Sequence, residues 1–130
     1  MVIDASVLVA ILTGEAERRA FIEAIEAADS RRVSVATFVE ASIIIESRLG
    51  AEGLRDFDRF IAVSGIDIAP VDLEQGYTAR LAYSQFGKGR HRAGLNYGDC
   101  FAYALARAMG EPLLCKSDDF VHTDLTLVPI

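Results

Sequence analysis

Tryptophan is absent from the 130 residues, and cysteine, histidine and proline occur only two, two and three times. Two cysteines do not make a disulfide framework, and neither has a second cysteine or a histidine at zinc-finger spacing. We therefore expect Cys100 and Cys115 to be small buried side chains in a reduced, cytoplasmic protein.

Long apolar runs are missing as well. No run free of charged residues approaches the roughly 20 residues that a membrane-spanning helix needs. The opening "MVIDASVLVAILTG" is apolar, but Asp4 interrupts it and no basic residue precedes it, so a signal peptide is not expected. The sequence thus predicts no membrane association.

Positive charge is in deficit. There are 13 Lys and Arg against 19 Asp and Glu, which gives a net charge of −6. This balance weighs against sequence-blind nucleic-acid binding, which depends on basic charge. One basic strip stands out, "GKGRHR" at residues 87–92, where Lys88, Arg90 and Arg92 occur without an acid. It is either a phosphate-binding loop or a solvated connector.

The chain is nevertheless rich in apolar residues, which make up 52% of the sequence. With glycine counted in place of tyrosine, this share exceeds the roughly 45–50% usual for globular proteins, so part of it is expected to cover a partner surface. The length favours a single domain over residues 1–130. Strand-like segments alternate with helical ones, which predicts an α/β fold with a mostly parallel central sheet and helices on both faces.

Acidic residues recur where predicted strands end or helices begin. Asp4 follows the first strand, Glu40 and Asp99 fall in the first turns of two helices, and Asp118 and Asp119 follow the apolar segment "PLLC". Ligands of open α/β sheets bind beyond the carboxyl ends of the strands. These acids are therefore expected to converge on one edge of the sheet.

Helix capping is the alternative explanation for each acid. Thr37 and Glu40 have the spacing of a capping box, Asn96 and Asp99 form a similar pair, and Asp4 is a plausible N-cap. The surrounding sequence is apolar, however, and buried carboxylates do not stay charged without a partner. A divalent cation such as Mg²⁺ or Mn²⁺ would supply that partner, since carboxylates are hard oxygen ligands.

Four stretches together resemble one protein family along the whole chain: "MVIDASVLVAIL", "ATFVEASIIIE", "GKGRHRAGLNYGDCFAYALA" and "PLLCKSDDFVHTDL". Their order and spacing are similar to those of the PIN-domain ribonucleases, specifically the VapC toxins of bacterial toxin–antitoxin pairs. The resemblance implies a single PIN domain over residues 1–130, with a three-layer α/β sandwich. It also implies a metal-dependent endoribonuclease whose products carry 3′-hydroxyl and 5′-phosphate ends.

The resemblance assigns roles to individual residues. The catalytic acids would be Asp4, Glu40, Asp99 and a fourth, for which we favour Asp119 over Asp118 because it directly precedes Phe120. Asp4 and Asp99 would hold Mg²⁺, with Mn²⁺ as a substitute, while Ser6, Asn96 and Asp118 are supporting residues. This chain departs from the family pattern at Ala5, where a small hydroxyl residue is common.

The resemblance also implies partners: a cognate VapB-like antitoxin, a structured RNA substrate such as tRNA or rRNA, and a second copy in a homodimer. We expect Leu8, Ile11, Phe21 and Ile25 to line a groove for the antitoxin. Lys88, Arg90 and Arg92 are candidate RNA contacts. Tyr97 and Tyr103 have the chemistry to stack a base, although core packing is the more ordinary use of such residues.

Two other functions are compatible with the acids. A metal-dependent phosphohydrolase acting on small molecules usually has D-x-D after its first strand, where this chain has Asp4-Ala5-Ser6. A non-catalytic PIN-like binding module would be expected to have lost acids, and none of the four positions is lost. His91 and His122 are not expected to act as ligands or general bases, because the implied mechanism needs neither.

Overall fold

The computed structural model describes residues 1–116 and 118–130. A sheet of four parallel strands lies at its centre in the order β3-β2-β1-β4. The strands are β1 (Val2–Ile3), β2 (Arg32–Ser34), β3 (Asp67–Ala69) and β4 (Leu113–Leu114). Because all four run the same way, their carboxyl ends meet at one edge of the sheet.

Five α-helices flank the sheet. They are α1 (Ala5–Leu12), α2 (Arg18–Ala27), α3 (Val35–Val63), α4 (Leu73–Phe86) and α5 (Tyr97–Met109), and a 3₁₀ turn (Asp119–His122) follows β4. None of the helices in the described part of the chain is long and apolar enough to cross a membrane.

Alternation along the strands divides the core into two halves. Ile3 and Leu114 pack in a cluster with α1, α2 and α3, whereas Val2 and Leu113 pack in a second cluster with α4 and α5. Neighbouring strand residues point to opposite faces, so these two clusters cover the two faces of the sheet. The prediction of a three-layer α/β sandwich is confirmed.

The beginning of α3 differs from the prediction. The helix starts at Val35, one residue after β2 ends, with Ser34 as its N-cap through a hydrogen bond from the Ala36 N–H. The capping box predicted for Thr37 and Glu40 is therefore wrong, since both residues lie inside the helix. Glu40 lies in the second turn rather than the first.

A glycine interrupts α3. Gly50 has φ 71° and ψ −166°, values that a helix does not contain, so two helical segments meet there at a kink. The sequence predicts a helix ending at this glycine and another beginning shortly after it, and both segments are present. A positive φ favours glycine because it carries no Cβ.

The predicted antitoxin groove is not where the sequence placed it. Leu8, Phe21 and Ile25 are fully buried in the core between α1, α2 and α3, and of the four predicted residues only Ile11 borders a surface groove. An amphipathic helix does not reveal whether its apolar stripe faces its own core or a partner. Cys100 is buried and Cys115 is half-buried.

Candidate active site

Five carboxylates border one pocket of about 320 Å³ at the carboxyl edge of the sheet, and one of them, Glu15, is paired with Lys116. The other four belong to Asp4, Glu40, Asp99 and Asp119, which come from four separate segments of the chain. Beside them the pocket is bordered by Ser6 and Asn96, the predicted supporting residues. We call this the acid pocket.

Asp4 is fixed by the start of α1. It follows β1 directly and acts as the N-cap of the helix, where its Oδ2 accepts hydrogen bonds from the Ser6 N–H (3.1 Å) and the Ser6 hydroxyl (2.6 Å). The Lys116 N–H in turn donates to the Ser6 hydroxyl oxygen at 3.0 Å. Burial raises the pKa of Asp4 against the opposing effect of these bonds, and Asp119 adds to the rise.

Asp99 is fixed in the same way at the start of α5. The Asp99 carboxylate accepts from the Asn96 N–H (3.0 Å) and the Asn96 side-chain oxygen accepts from the Asp99 N–H (2.9 Å), which makes a capping box. The residue is only 8% exposed. Burial, together with the charges of Asp4, Asp119 and Glu40, raises its pKa to about 7.

Glu40 reaches the acid pocket from the second turn of α3 and depends on a glycine opposite. A Cβ on Gly98 would lie 2.6 Å from Glu40 Cδ and would overlap its carboxylate. The first turn of α5 therefore accepts Glu40 only because residue 98 has no side chain. Burial and the charge of Asp4 raise the pKa of Glu40.

The two candidates for the fourth acid, Asp118 and Asp119, differ in their position relative to the acid pocket. Asp119, half-buried in the 3₁₀ turn, borders the acid pocket, and its charge contributes to the raised pKa values of Asp4 and Asp99. Asp118 is exposed and does not border the pocket. The geometry thus favours Asp119 for the catalytic set and gives Asp118 no contact with it.

Two cations beside the acid pocket are absent from the sequence prediction. Arg48 and Lys116 both border it, and Lys116 is held by Glu15 (2.8 Å) and Glu17 (3.0 Å). Arg48 makes no ion pair within the described part of the chain. The sequence could have predicted both cations near the acids. Arg48 lies eight residues after Glu40 on the same helical face, and Lys116 lies just beyond β4.

The basic loop lies elsewhere. Lys88 borders a second, mostly apolar cleft between α4 and α5, which we call the α4–α5 cleft. The Arg90 guanidinium lies 5.3 Å from the centre of the Tyr83 ring, and Arg92 is exposed. His91 accepts a hydrogen bond from the Ala93 N–H through Nδ1, a structural use. The acid pocket therefore receives none of the three predicted RNA-binding cations.

The two candidate stacking tyrosines differ. Tyr103 is buried and donates a hydrogen bond to Asp124 at 2.6 Å, as expected for a core residue. Tyr97 is 78% exposed beside the α4–α5 cleft, so the expectation of core packing is wrong for it. The two rings lie on different faces of α5, because six residues correspond to about one and two-thirds turns of an α-helix.

The acid pocket offers the right donors for a hard cation. In the described residues, no three His, Cys, Asp or Glu side chains are already grouped to hold a metal ion. Mg²⁺ does not require such a cage, since it keeps several waters and binds through one or two carboxylates. The raised pKa values of Asp4, Glu40 and Asp99 show that uncompensated negative charge is costly here. The pocket residues therefore fit Mg²⁺ or Mn²⁺.

Comparison with known proteins identifies the family. A family model for the PIN domain matches residues 1–124. Ribonuclease VapC30 of Mycobacterium tuberculosis is 47% identical over 130 residues, covering 100% of this chain and 99% of that protein. Ribonuclease VapC of Mycolicibacterium smegmatis is 48% identical over 128 residues, covering 98% and 99%. The chain belongs to the PIN-domain family and, within it, to the VapC ribonucleases.

Solved structures share the fold at low sequence identity. VapC20 of Mycobacterium tuberculosis, described as a sarcin–ricin loop cleaving toxin, matches with a TM-score of 0.81 at 14% identity, covering 99% of this chain and 98% of that one. A chain of a toxin–antitoxin complex from Klebsiella pneumoniae matches with a TM-score of 0.72 at 17% identity, covering 99% and 97%. The α/β fold of this chain is thus shared with both structures.

Proposed function

We propose that the protein is an Mg²⁺-dependent endoribonuclease toxin that cleaves structured cellular RNA in the cytoplasm and is neutralised by a cognate antitoxin. The observation that carries the proposal is the acid pocket, where Asp4, Glu40, Asp99 and Asp119 meet at the carboxyl edge of the sheet. Family membership supports it, because the relatives at 47% and 48% identity are named ribonucleases. VapC20, which shares the fold, is described as cleaving the sarcin–ricin loop, and we extend that kind of substrate, a structured RNA such as tRNA or rRNA, to this protein.

The metal ligands we assign are Asp4 and Asp99. They are the most buried of the four acids, and backbone caps hold both carboxylates in place before any ion binds. When bound, Mg²⁺ supplies an activated water and polarises the phosphate, and Mn²⁺ has the chemistry to substitute. Ser6 keeps Asp4 oriented through its hydroxyl.

The remaining residues act on water and RNA. Glu40 orients the attacking water, and Asp119 completes the negative environment that favours a divalent cation. Arg48 and Lys116 hold the phosphate backbone against an otherwise anionic pocket. In-line displacement of the 3′-oxygen then leaves a 3′-hydroxyl and a 5′-phosphate. Lys88, Arg90 and Arg92 stay candidates for phosphates farther along the RNA.

The activity is tested with purified protein and total bacterial RNA. We expect cleavage with Mg²⁺ or Mn²⁺, no cleavage with a chelator, and fragments whose new 5′ ends accept direct ligation because they carry a phosphate. A small phosphomonoester such as p-nitrophenyl phosphate should not be hydrolysed. Hydrolysis of that ester without cleavage of RNA would instead support the small-molecule phosphohydrolase. The absence of both activities would support a non-catalytic binding module.

The antitoxin is expected to cover the groove of about 540 Å³ that separates α1 and α2 from the second segment of α3. Leu12, Phe60 and Val63 supply apolar surface there, and the groove is flanked by charged residues, Arg18, Asp56 and Arg59. Co-expression with the antitoxin should restore growth that the toxin alone arrests. The variant Val63→Asp should weaken this rescue and leave toxicity intact.

A homodimer is proposed through the first segment of α3. Val35, Val39 and Ile43 form an exposed apolar stripe at four-residue spacing, with Ile43 61% exposed. Such a stripe on one helical face is typical of a surface that another chain covers. Light scattering should give the mass of a dimer, and Ile43→Glu should give that of a monomer.

A further inference from the structure

The α4–α5 cleft has a chemical character that the cleavage mechanism does not use. It has a volume of about 610 Å³ and an apolar floor that includes Ala79 and Cys100. Tyr83, Tyr97 and Phe101 contribute aromatic rings to its walls. This size falls within the usual range of ligand-binding clefts, which are mostly apolar with a few polar groups.

The cleft lies next to the acid pocket. Asn96 borders both, and Tyr97 and Asp99 lie two residues apart in the first turn of α5. A ligand whose one part occupies the acid pocket therefore has a neighbouring part within reach of the cleft. The capping box between Asn96 and Asp99 fixes the position of the two sites relative to each other.

Aromatic surface at this place is exposed. Tyr97 is 78% exposed, and its ring meets Phe101 edge-on with 4.9 Å between the ring centres. A large exposed ring beside a cleft is available for stacking by a flat partner. A core role is excluded for this side chain by its exposure.

Positive charge surrounds the aromatic walls. Arg80 and Lys88 border the cleft, and the Arg90 guanidinium lies 5.3 Å from the centre of the Tyr83 ring. The combination of aromatic faces with cations is the means by which proteins hold single-stranded nucleic acid, with bases stacked on rings and phosphates on Lys and Arg. In a chain of net charge −6, this local concentration of positive charge matches an anionic partner.

We propose that the α4–α5 cleft binds a nucleobase of the RNA, next to the phosphodiester that the acid pocket cleaves. The base stacks against Tyr97 at the mouth of the cleft, and Lys88 and Arg80 contact the phosphates that flank it. The cleft thus selects which bond enters the acid pocket. This inference rests on the proposed ribonuclease function.

The test uses RNA in which one base at a time is missing. Sites cut in total bacterial RNA are first mapped by sequencing, and a short synthetic RNA with the most frequent site is then made with an abasic residue at each position near the cut. For the parent protein, one abasic position should raise KM about tenfold with little change in kcat, because stacking contributes to binding. Tyr97→Ala should raise KM for the intact RNA by a similar factor.

The two losses should not multiply. With the RNA abasic at that position, the parent and Tyr97→Ala should have the same KM, because the partner of the tyrosine is already absent. Tyr97→Phe, which keeps the ring, should behave as the parent. Sequencing of cut sites should show a weaker base preference at one position for Tyr97→Ala.

Four outcomes overturn the inference. Equal KM values for the parent and Tyr97→Ala on intact RNA would show that no base binds in the cleft. The same conclusion would follow if Tyr97→Ala raised KM by the same factor on every abasic RNA as on intact RNA. Unchanged cleavage by Tyr97→Ala together with weaker inhibition by the antitoxin would assign the cleft to the antitoxin. Absence of metal-dependent cleavage by the parent would instead refute the proposed function, and the inference with it.

Discussion

The acid pocket and the α4–α5 cleft lie on two sides of the same helix start, yet they have opposite chemistry. The acid pocket gathers five carboxylates, and those of Asp4, Glu40 and Asp99 have raised pKa values. The cleft has an apolar floor with aromatic walls and basic residues. One turn of α5 thus contributes to both sites, because Asp99 and Tyr97 leave the helix in different directions. Changes on the two sides should therefore separate kcat from KM.

The largest effect is expected from the metal ligands. Asp4→Asn or Asp99→Asn should lower kcat by about 10³-fold or more, because a bound metal ion supplies several kcal/mol of transition-state stabilisation. Either variant should keep its fold, since an amide oxygen accepts the same capping hydrogen bonds. Cleavage assays with Mg²⁺ and circular dichroism measure the two quantities. Chelator-sensitive cleavage at the parent rate would show that the metal lies elsewhere.

Gly98→Ala is expected to have the next largest effect. Its methyl group would push the Glu40 carboxylate out of the acid pocket. A displacement of about 1 Å at a catalytic group lowers turnover by up to about 10²-fold. Thermal unfolding should show equal or higher stability, because Glu40 is flexible enough to move and alanine favours a helix. A loss of activity that accompanies unfolding would contradict this explanation.

Asp118 and Asp119 provide a matched pair. Asp119→Asn should lower kcat by about 10- to 100-fold, the range typical of residues that support a metal site. Asp118→Asn removes the same charge one residue away from an exposed position that does not border the acid pocket, and it should cleave RNA as the parent does. Equal losses would mean that net charge matters rather than position.

Variants of Arg48 and Arg92 allow a cation at the acid pocket to be compared with one in the basic loop. Arg48→Ala should raise KM several-fold and reduce the dependence of log affinity on log salt by just under one unit, as expected for one phosphate contact. Arg92→Ala should do the same to a smaller extent, because Arg92 borders neither site. A larger loss for Arg92→Ala would make the loop the principal RNA contact.

The smallest effect concerns stability without metal. The pKa of Asp99 is about 7 in the folded protein and about 4 in an unfolded chain. The folded state therefore binds the extra proton, and its stability falls as pH rises from about 4 to 7. Asp99→Asn should unfold at a higher temperature than the parent above about pH 7, by a few degrees, and at a similar one near pH 4. Thermal scans in a chelator measure this difference, and Mg²⁺ should reduce it.

The positions of the acids could be predicted from the sequence because backbone hydrogen bonds fix two of them, Asp4 and Asp99. Asp4 and Asp99 are placed by caps at helix starts, features that short motifs reveal, and the edge of a parallel sheet brings such positions together. The spacing of Thr37 and Glu40 indicated a helix that begins near Thr37, which placed Glu40 in its first turn. The helix begins instead at Val35, directly after the N-cap Ser34, so Glu40 lies in the second turn.

The cations were harder to predict because their position depends on long, flexible side chains. The basic residues at 87–92 are close together in sequence, but in the folded protein Lys88 borders the α4–α5 cleft whereas Arg92 is exposed to solvent. Arg48 and Lys116 are far apart in sequence and border the same pocket only in the folded protein. The apolar stripes of α1 and α2 posed a similar problem, since burial and partner binding produce the same pattern.

The capping box at the start of α5 has a consequence for how such a gene evolves. A single-base change converts an Asp codon to an Asn codon, and the amide oxygen of the Asp99→Asn variant would still accept the hydrogen bond from the Asn96 N–H that holds the helix end. With Asp99 as the metal ligand we propose, toxicity would be lost in one mutational step while the folded chain persists. An allele of this kind would still occupy antitoxin in the cell, so a silenced toxin would weaken the protection of the active copies beside it.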